Sequence, residues 1–124
     1  MKMKVLLVDD EKKFAMMLSK RLALRGMEVD YVHTGEAAID KAAQNKYDVA
    51  ILDVKMPGIG GIELKQKLKE LDPGLKIIFL TGHGSEVDFE TGSSEGSFYL
   101  AKPLRIEQLI EIMHGLTDFK SSQK

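Results

Sequence analysis

Residues 5–10 read Val5-Leu6-Leu7-Val8-Asp9-Asp10, an unbroken apolar run that ends in two acids. A second run, Val49-Ala50-Ile51-Leu52, ends in Asp53. Such runs are typical of central strands in a parallel sheet, which helices cover on both faces. If the two strands are neighbours, three carboxylates meet at one edge of the sheet. At about 4 Å and an effective dielectric constant near 20, each pair would repel by roughly 4 kcal/mol, so the cluster needs a counter-charge, for which a hard divalent cation is suited.

The composition is that of an ordinary globular protein with one domain. The chain has 124 residues, of which 44% are hydrophobic and 30% charged, and its formal net charge is -1. This length suffices for one core and leaves no room for a second domain. A charge near zero provides no basic field, so we expect no direct contact with nucleic acid. The chain has no cysteine, and the apolar run after Lys4 is too short for a signal peptide. We therefore expect a cytoplasmic protein without a membrane segment.

Apolar runs alternate with amphipathic stretches along the chain, which is the pattern of βαβ units. Ile77 to Leu80 is a third unbroken run and predicts a third central strand. Glu28 to Val32 alternates polar and apolar residues, and Ser97 to Ala101 is short. We predict that these two strands lie at the edges of the sheet.

Four stretches have the apolar spacing of a helix. The positions predicted to be buried are Phe14, Met17, Leu18 and Leu22, then Ala37, Ala38, Ala42 and Ala43, then Leu64, Leu68 and Leu71, and finally Ile106, Leu109, Ile110 and Met113. Gly26 is predicted to end the first helix, Thr34 to cap the second, and Asp72-Pro73-Gly74 to end the third. Residues 1–118 are predicted to form the domain, and residues 119–124 a frayed polar tail.

Polar residues with complementary chemistry follow the predicted strands, at the sheet edge where open α/β folds place their sites. They are Asp9, Asp10, Asp53, Thr81 and Lys102. Magnesium prefers oxygen ligands and usually takes one or two carboxylates, which suits Asp10 and Asp53 with Asp9 acting through water. Asp53 stands alone after its strand and is the candidate nucleophile toward a phosphoryl group. The metal ion, the Thr81 hydroxyl and the Lys102 ammonium would neutralise that group on three sides.

Each of these residues alone has a structural explanation. An acid pair after a strand is more often a solvated loop or a helix cap, a single threonine usually sits in a turn, and a single lysine is usually a surface charge. Only the ordered combination favours a functional site.

Four motifs in this order resemble the receiver domain of two-component response regulators. They are Val8-Asp9-Asp10-Glu11, Asp53-Val54-Lys55-Met56-Pro57-Gly58, Thr81-Gly82 and Tyr99-Leu100-Ala101-Lys102-Pro103. The resemblance covers roughly Lys4 to Leu116, and the ordered set is highly specific. It implies a flavodoxin-like α/β fold, with a doubly wound sheet of five parallel strands in the order 2-1-3-4-5.

The resemblance also implies a phosphorylation site. Asp53 resembles the phosphoacceptor, which receives a phosphoryl group from a sensor histidine kinase or a phosphotransfer protein. Asp9 and Asp10 resemble the acids of the Mg²⁺ site, and the Lys55 backbone carbonyl resembles a further ligand. Such a domain catalyses only its own phosphotransfer and the slow loss of the phosphoryl group, so we do not expect an enzyme in the usual sense.

The remaining motif residues resemble the family's switch. Thr81 resembles the hydroxyl that binds the phosphoryl group, and Tyr99 resembles the aromatic residue that rotates. A packing residue at the sheet edge is the structural alternative for Tyr99. Lys102 resembles the phosphate-binding lysine, and Lys102-Pro103 resembles the family's cis peptide bond.

The sequence departs from the family pattern at two places. Gly60 stands where the family commonly has aspartate, which changes only a turn. Residues 86–96 are rich in glycine, serine and acids where the family carries its fourth helix, and these are poor helix formers. We therefore expect this fourth helix, between the fourth and fifth strands, to be short or disordered, and the segment to be the least stable part of the domain. A downstream output domain or protein would be contacted through the segment from Glu86 to Tyr99 and through the last helix.

Two function classes remain open. One is a signalling domain that changes its affinity for partners when Asp53 is phosphorylated, and the other is a receiver-like interaction domain that does not switch by phosphorylation. A phosphatase of the haloacid dehalogenase type would need a second acid two residues after the nucleophile, where this chain has Lys55. The complete set of acids, hydroxyl and lysine favours the first class. Met1 lies close to the first strand, which favours a native N-terminus, but the sequence does not decide whether the domain stands alone.

Overall fold

The computed structural model describes residues 2–82 and 98–117. Within these ranges, strands and helices follow one another along the chain: β1 (Lys4–Val8), α1 (Lys12–Leu24), β2 (Glu28–Val32), α2 (Gly35–Gln44), β3 (Val49–Asp53), α3 (Gly61–Leu71), β4 (Lys76–Thr81), β5 (Phe98–Ala101) and α4 (Ile106–Thr117). The helix expected between β4 and β5 lies outside the described residues. So do the tail at 119–124 and the segment 86–97.

The strands form one five-stranded sheet in the order β2-β1-β3-β4-β5, and each pair of neighbours is parallel. This is the doubly wound, flavodoxin-like arrangement that the sequence predicts. The strands β2 and β5 occupy the two edges of the sheet. This confirms the prediction, which rested on the alternation of polar and apolar residues in β2 and on the short length of β5. The register places Val8 beside Leu52, so the residues that follow β1 lie beside the end of β3.

Two of the predicted site residues end their strands rather than follow them. Asp53 lies opposite Leu80, and Thr81 lies opposite Ala101. The pairing continues past each residue, because the Val54 N–H donates to the Leu80 carbonyl at 3.0 Å and the Lys102 N–H donates to the Thr81 carbonyl at 2.8 Å. The backbone of both residues is therefore held by the sheet itself.

The core lies on both faces of the sheet, because alternate side chains of each central strand point in opposite directions. Leu7, Ile51 and Ile78 belong to the cluster that includes the buried residues of α1 and α4. Leu52 and Phe79 belong to the cluster that includes those of α2 and α3. All five are fully buried, which explains why these strands read as unbroken apolar runs.

The helices bury narrower faces than the apolar spacing predicts. The buried residues of α1 are Ala15, Leu18, Ser19 and Leu22. Met17 was predicted to be buried but is 54% exposed, and Leu71 of α3 is 48% exposed. Ala15 and Leu22 lie at the centre of this buried face, and at about 100° per residue Met17 points away from it. Ala43 of α2 is also exposed, whereas all four predicted positions of α4 are buried.

The helix ends agree with the predicted signals. Gly26 follows α1 with φ 87, a conformation that glycine adopts without a steric penalty. The Thr34 hydroxyl accepts a hydrogen bond from the Ala37 N–H at 3.1 Å and caps α2. Helix α3 ends at Leu71, immediately before the predicted turn. In the parts of the chain that are described, no helix has both the length and the apolar character needed to cross a bilayer.

Candidate functional site

Three acids converge at the carboxyl ends of β1 and β3. Asp9 is fully buried directly after β1, Asp53 is 6% exposed at the end of β3, and Asp10 is exposed beside them. One carboxylate oxygen of each residue lies within 4.8 Å of those of the other two. The adjacency of β1 and β3 produces this cluster, because it aligns the ends of two strands that are far apart in the sequence.

The two oxygens of Asp9 have different surroundings. Oδ1 accepts a hydrogen bond from the Glu11 N–H at 2.9 Å. Oδ2 lies 2.9 Å from Nζ of Lys102 and pairs with that ammonium, which leaves its second lone pair free among the described residues. A buried carboxylate oxygen in this state has a lone pair available for a cation.

These residues fit a hard divalent cation. All three side chains supply oxygen atoms, their spacing lets them lie around one ion, and the buried Asp9 Oδ2 has a lone pair that can accept a hydrogen bond from a water molecule on that ion. Mg²⁺ takes this kind of ligand and retains water in its remaining positions. Lys55, predicted to add its carbonyl, lies two residues after Asp53, and its backbone N–H favours the charged form of the Asp53 carboxylate.

The surroundings of Asp53 favour its protonated form when no metal ion is present. Burial is the largest cause and raises the pKa of Asp53 to about 7, and the negative charge of Asp9 and a hydrogen bond with Asp10 act in the same direction. The positive charge of Lys102 and the Lys55 N–H oppose the rise. A cation beside Asp53 would favour the carboxylate, which is the nucleophilic form.

Lys102 is the counter-charge of the cluster in this structure. Its Nζ lies 2.9 Å from Asp9 Oδ2, 2.6 Å from Glu11 Oε1 and 3.9 Å from Asp53 Oδ2. It also lies 4.6 Å from the centroid of the Phe14 ring, within the range of a cation–π contact. Burial alone would lower the pKa of Lys102, but the contacts with Glu11 and Asp9 outweigh it and raise the pKa. The lysine is therefore charged at neutral pH.

The other motif residues surround the same place. Thr81 is buried at the end of β4, and its carbonyl anchors the Lys102 N–H. The Lys102-Pro103 peptide bond is cis. Tyr99 is buried in β5, and its ring centroid lies 4.8 Å from that of Phe79. The geometry brings Thr81 and Lys102 together, while the switching roles of Thr81 and Tyr99 stay predictions.

A close backbone approach positions the start of α3 against the site. A Cβ atom at Gly61 would overlap the Asp53 carbonyl oxygen and would lie 2.9 Å from the Val54 Cα. The Gly61 N–H donates to the Val54 carbonyl at 2.9 Å. Only glycine permits this approach, so Gly61 helps to hold the backbone on which Asp53 sits.

Sequence reasoning missed the contribution of Glu11 and Phe14 to the site. Both line a cavity of about 730 Å³ together with Asp53 and Lys102. Glu11 belongs to the first motif but has no role predicted from the sequence. The sequence predicts that Phe14 is a core residue, because the spacing of Phe14 fits the apolar face of α1. The signal that could have found them is their position within one helical turn of the acid pair.

Comparison with known proteins agrees with this geometry. The model of the family described as "Response regulator receiver domain" matches residues 5–114. The chain is 36% identical over 107 residues to the uncharacterized transcriptional regulatory protein YkoG of Bacillus subtilis, covering 86% of this chain and 47% of that protein. It is 34% identical over 114 residues to the transcriptional regulatory protein TrcR of Mycobacterium tuberculosis, covering 91% of this chain and 44% of that protein. The chain thus spans about half the length of these relatives.

Solved structures show the same fold. A response regulator receiver domain protein from Clostridium thermocellum superposes with a TM-score of 0.88 at 28% identity, covering 94% of both chains. A response regulator protein from Burkholderia pseudomallei, solved with a phosphorylated aspartic acid, a calcium ion and citrate, superposes with a TM-score of 0.83 at 28% identity, covering 90% of this chain and 66% of that one. With the family model matching most of its length, the chain belongs to the response regulator receiver domain family.

Proposed function

We propose that the chain is a phosphoacceptor domain of a two-component system, in which Asp53 receives a phosphoryl group in a Mg²⁺-dependent reaction. The observation that carries the proposal is the meeting of three carboxylates with Lys102 beside a cavity that opens onto Asp53. The phosphorylated aspartic acid and calcium ion in the Burkholderia pseudomallei structure support it by analogy.

The transfer step needs little more than alignment and charge neutralisation. An oxygen of the Asp53 carboxylate forms a bond to phosphorus while the bond from phosphorus to a histidine nitrogen of the donor breaks, and the imidazole leaves with the electron pair of that bond and takes a proton. Lys102 pairs with one phosphoryl oxygen, and the Thr81 hydroxyl donates a hydrogen bond to another. When bound, Mg²⁺ would supply positive charge at the acids, held by Asp10, Asp53, the Lys55 carbonyl and, through water, Asp9.

We assign the donor as a sensor histidine kinase or a phosphotransfer protein of the cytoplasm, since a phosphohistidine supplies the reactive group. The response would pass to an output domain or protein through the segment from Glu86 to Tyr99 and through α4. Thr81 and Tyr99 would carry the change, because Thr81 ends β4, the strand that pairs with β3 beside Asp53, and Tyr99 lies on β5, the strand that pairs with β4. The transcriptional regulators among the relatives make a domain that regulates transcription a suitable output.

The decisive experiment is incubation with a small phosphoryl donor, such as acetyl phosphate, and Mg²⁺. Native protein should gain the mass of one phosphoryl group, and Asp53→Asn should gain none. Omission of Mg²⁺ should abolish the gain in native protein. A chain that stays unmodified in all arms would instead be a receiver-like interaction domain that does not switch by phosphorylation.

A further inference from the structure

The position of the Lys102 ammonium differs from the one that its proposed role demands. Nζ lies 2.6 Å from Glu11 Oε1 but 3.9 Å from the nearer carboxylate oxygen of Asp53. The same Nζ lies 4.6 Å from the centroid of the Phe14 ring. Glu11 is the first residue before α1, and Phe14 lies in its first turn, so one short segment supplies both contacts.

The contacts with Glu11 and Phe14 place the ammonium away from where a phosphoryl group on Asp53 would need it. A phosphoryl group on Asp53 adds oxygens beyond the carboxylate, and Nζ must approach them to form a charge-assisted hydrogen bond. Glu11 holds the same ammonium and competes for it with a full negative charge. An interaction that is stronger in the ground state than in the transition state slows the reaction.

We propose that Glu11 is a positioning residue that restrains Lys102 away from the phosphoacceptor and so slows phosphorylation of the resting domain. This inference rests on the proposed function of Asp53. Asp9 also holds this ammonium, at 2.9 Å, but it is buried within the cluster and is a proposed participant in metal binding, so it is not the residue that can release the lysine. The Glu11 side chain, by contrast, is 62% exposed and can release the lysine into the cavity without leaving a buried charge unpaired.

The test compares rates of phosphorylation by acetyl phosphate with saturating Mg²⁺, followed by mass spectrometry. Glu11→Gln keeps the shape of the side chain and removes its charge. It should accelerate phosphorylation by about two- to fivefold, which is the scale of an exposed ion pair. Glu70→Gln is the matched control, because Glu70 is an exposed glutamate of α3 outside the site and its replacement changes the net charge equally. The control should leave the rate unchanged.

Removal of a negative charge could also accelerate the reaction by weakening repulsion of the anionic donor. The same substitution is therefore made in a Lys102→Met background, where no ammonium is present to restrain. If Glu11 acts through Lys102, Glu11→Gln changes the rate there by less than about 1.5-fold, a difference within the error of additivity. A second measurement, which does not require turnover, is the rise in the free energy of unfolding when beryllofluoride and Mg²⁺ are added. The fluoride atoms of beryllofluoride stand in for phosphoryl oxygens on Asp53. This rise should be larger in Glu11→Gln than in native protein.

Equal acceleration in both backgrounds would show simple repulsion of the donor and overturn the inference. So would an unchanged or slower rate in Glu11→Gln, or a beryllofluoride stabilisation no larger than that of native protein. Failure of native protein to gain any phosphoryl group is a different result, since it contradicts the proposed function itself.

Discussion

Nζ of Lys102 lies 2.9 Å from Oδ2 of Asp9, so the buried acid that follows β1 has its counter-charge on the residue that follows β5. Burying a carboxylate without a partner would cost several kcal/mol, and the lysine offsets much of that cost. The same ammonium lies 3.9 Å from Asp53, so its charge also reduces the repulsion between the two buried acids. Among the described residues, this one ammonium faces the carboxylates of Asp9 and Glu11 as well as Asp53, and Asp10 adds a further acid, so the site attracts a cation.

The net charge of the cluster predicts that Mg²⁺ stabilises the fold. Millimolar Mg²⁺ should raise the midpoint of thermal unfolding of native protein by a few degrees, corresponding to about 1–2 kcal/mol, because the ion binds the folded state alone. Asp53→Ala removes one ligand and should show a clearly smaller rise. An equal rise in both proteins would contradict the assignment of the metal site to these acids.

The raised pKa of Asp53 predicts an unusual pH dependence of the metal-free protein. Between the ordinary value of 3.8 and the folded value of about 7, the folded state binds a proton that the unfolded state has released. The free energy of unfolding should therefore carry an Asp53 contribution that is fully present below about pH 4 and is lost as the pH rises through 7.

Urea unfolding with a chelator present, at several pH values, measures this contribution. Native protein should lose stability relative to Asp53→Asn between pH 4 and 7 by an amount on the order of a few kcal/mol, because asparagine does not ionise. Asp53→Asn should therefore be the more stable protein at pH 7 without metal. Parallel curves for the two proteins would show that the surroundings of Asp53 do not shift its titration.

The close approach at Gly61 predicts a large effect of a single methyl group. Gly61→Ala should destabilise the domain by about 1–3 kcal/mol, because the new Cβ meets backbone atoms of Asp53 and Val54 that cannot rotate away. Gly115→Ala is the control, since Gly115 lies in α4 and a Cβ there has no atom within 4 Å. That change should stabilise the helix by about 0.5–1 kcal/mol. Chemical unfolding of both variants is sufficient, and the idea fails if they change stability in the same direction.

Lys55 should lengthen the life of the phosphoryl group. Its side chain is exposed and lines the cavity beside Asp53, where a long cation can pair with phosphoryl oxygens and obstruct the attacking water. Lys55→Ala should lose the phosphoryl group about two- to fivefold faster, on the scale of an exposed ion pair. The decay is followed by mass after removal of the donor. The same decay rate in Lys55→Ala and native protein would indicate a lysine that only faces solvent.

The sequence by itself determined the strands, the order of the motifs and the identity of the acids. Strands that are buried on both faces are apolar at nearly every position. The unbroken apolar runs therefore predict β1, β3 and β4 without any knowledge of which strands lie beside them. The family resemblance then implied the strand order, which the sheet confirms. Local signals such as Gly26 and Thr34 also sufficed for helix ends, because capping involves only residues within one turn.

Tertiary structure alone decided which side chains meet. The apolar spacing of α1 could not show that Ala15 and Ser19 are buried and that Met17 faces solvent, since the side of a helix that meets the sheet is set by packing with residues distant in the sequence. The contact of Glu11 with Lys102 was likewise invisible, because the two residues are brought together only by the sheet order that places β1 and β5 around the same cavity. Long-range electrostatics depend on such placement, and no local pattern of residues records it.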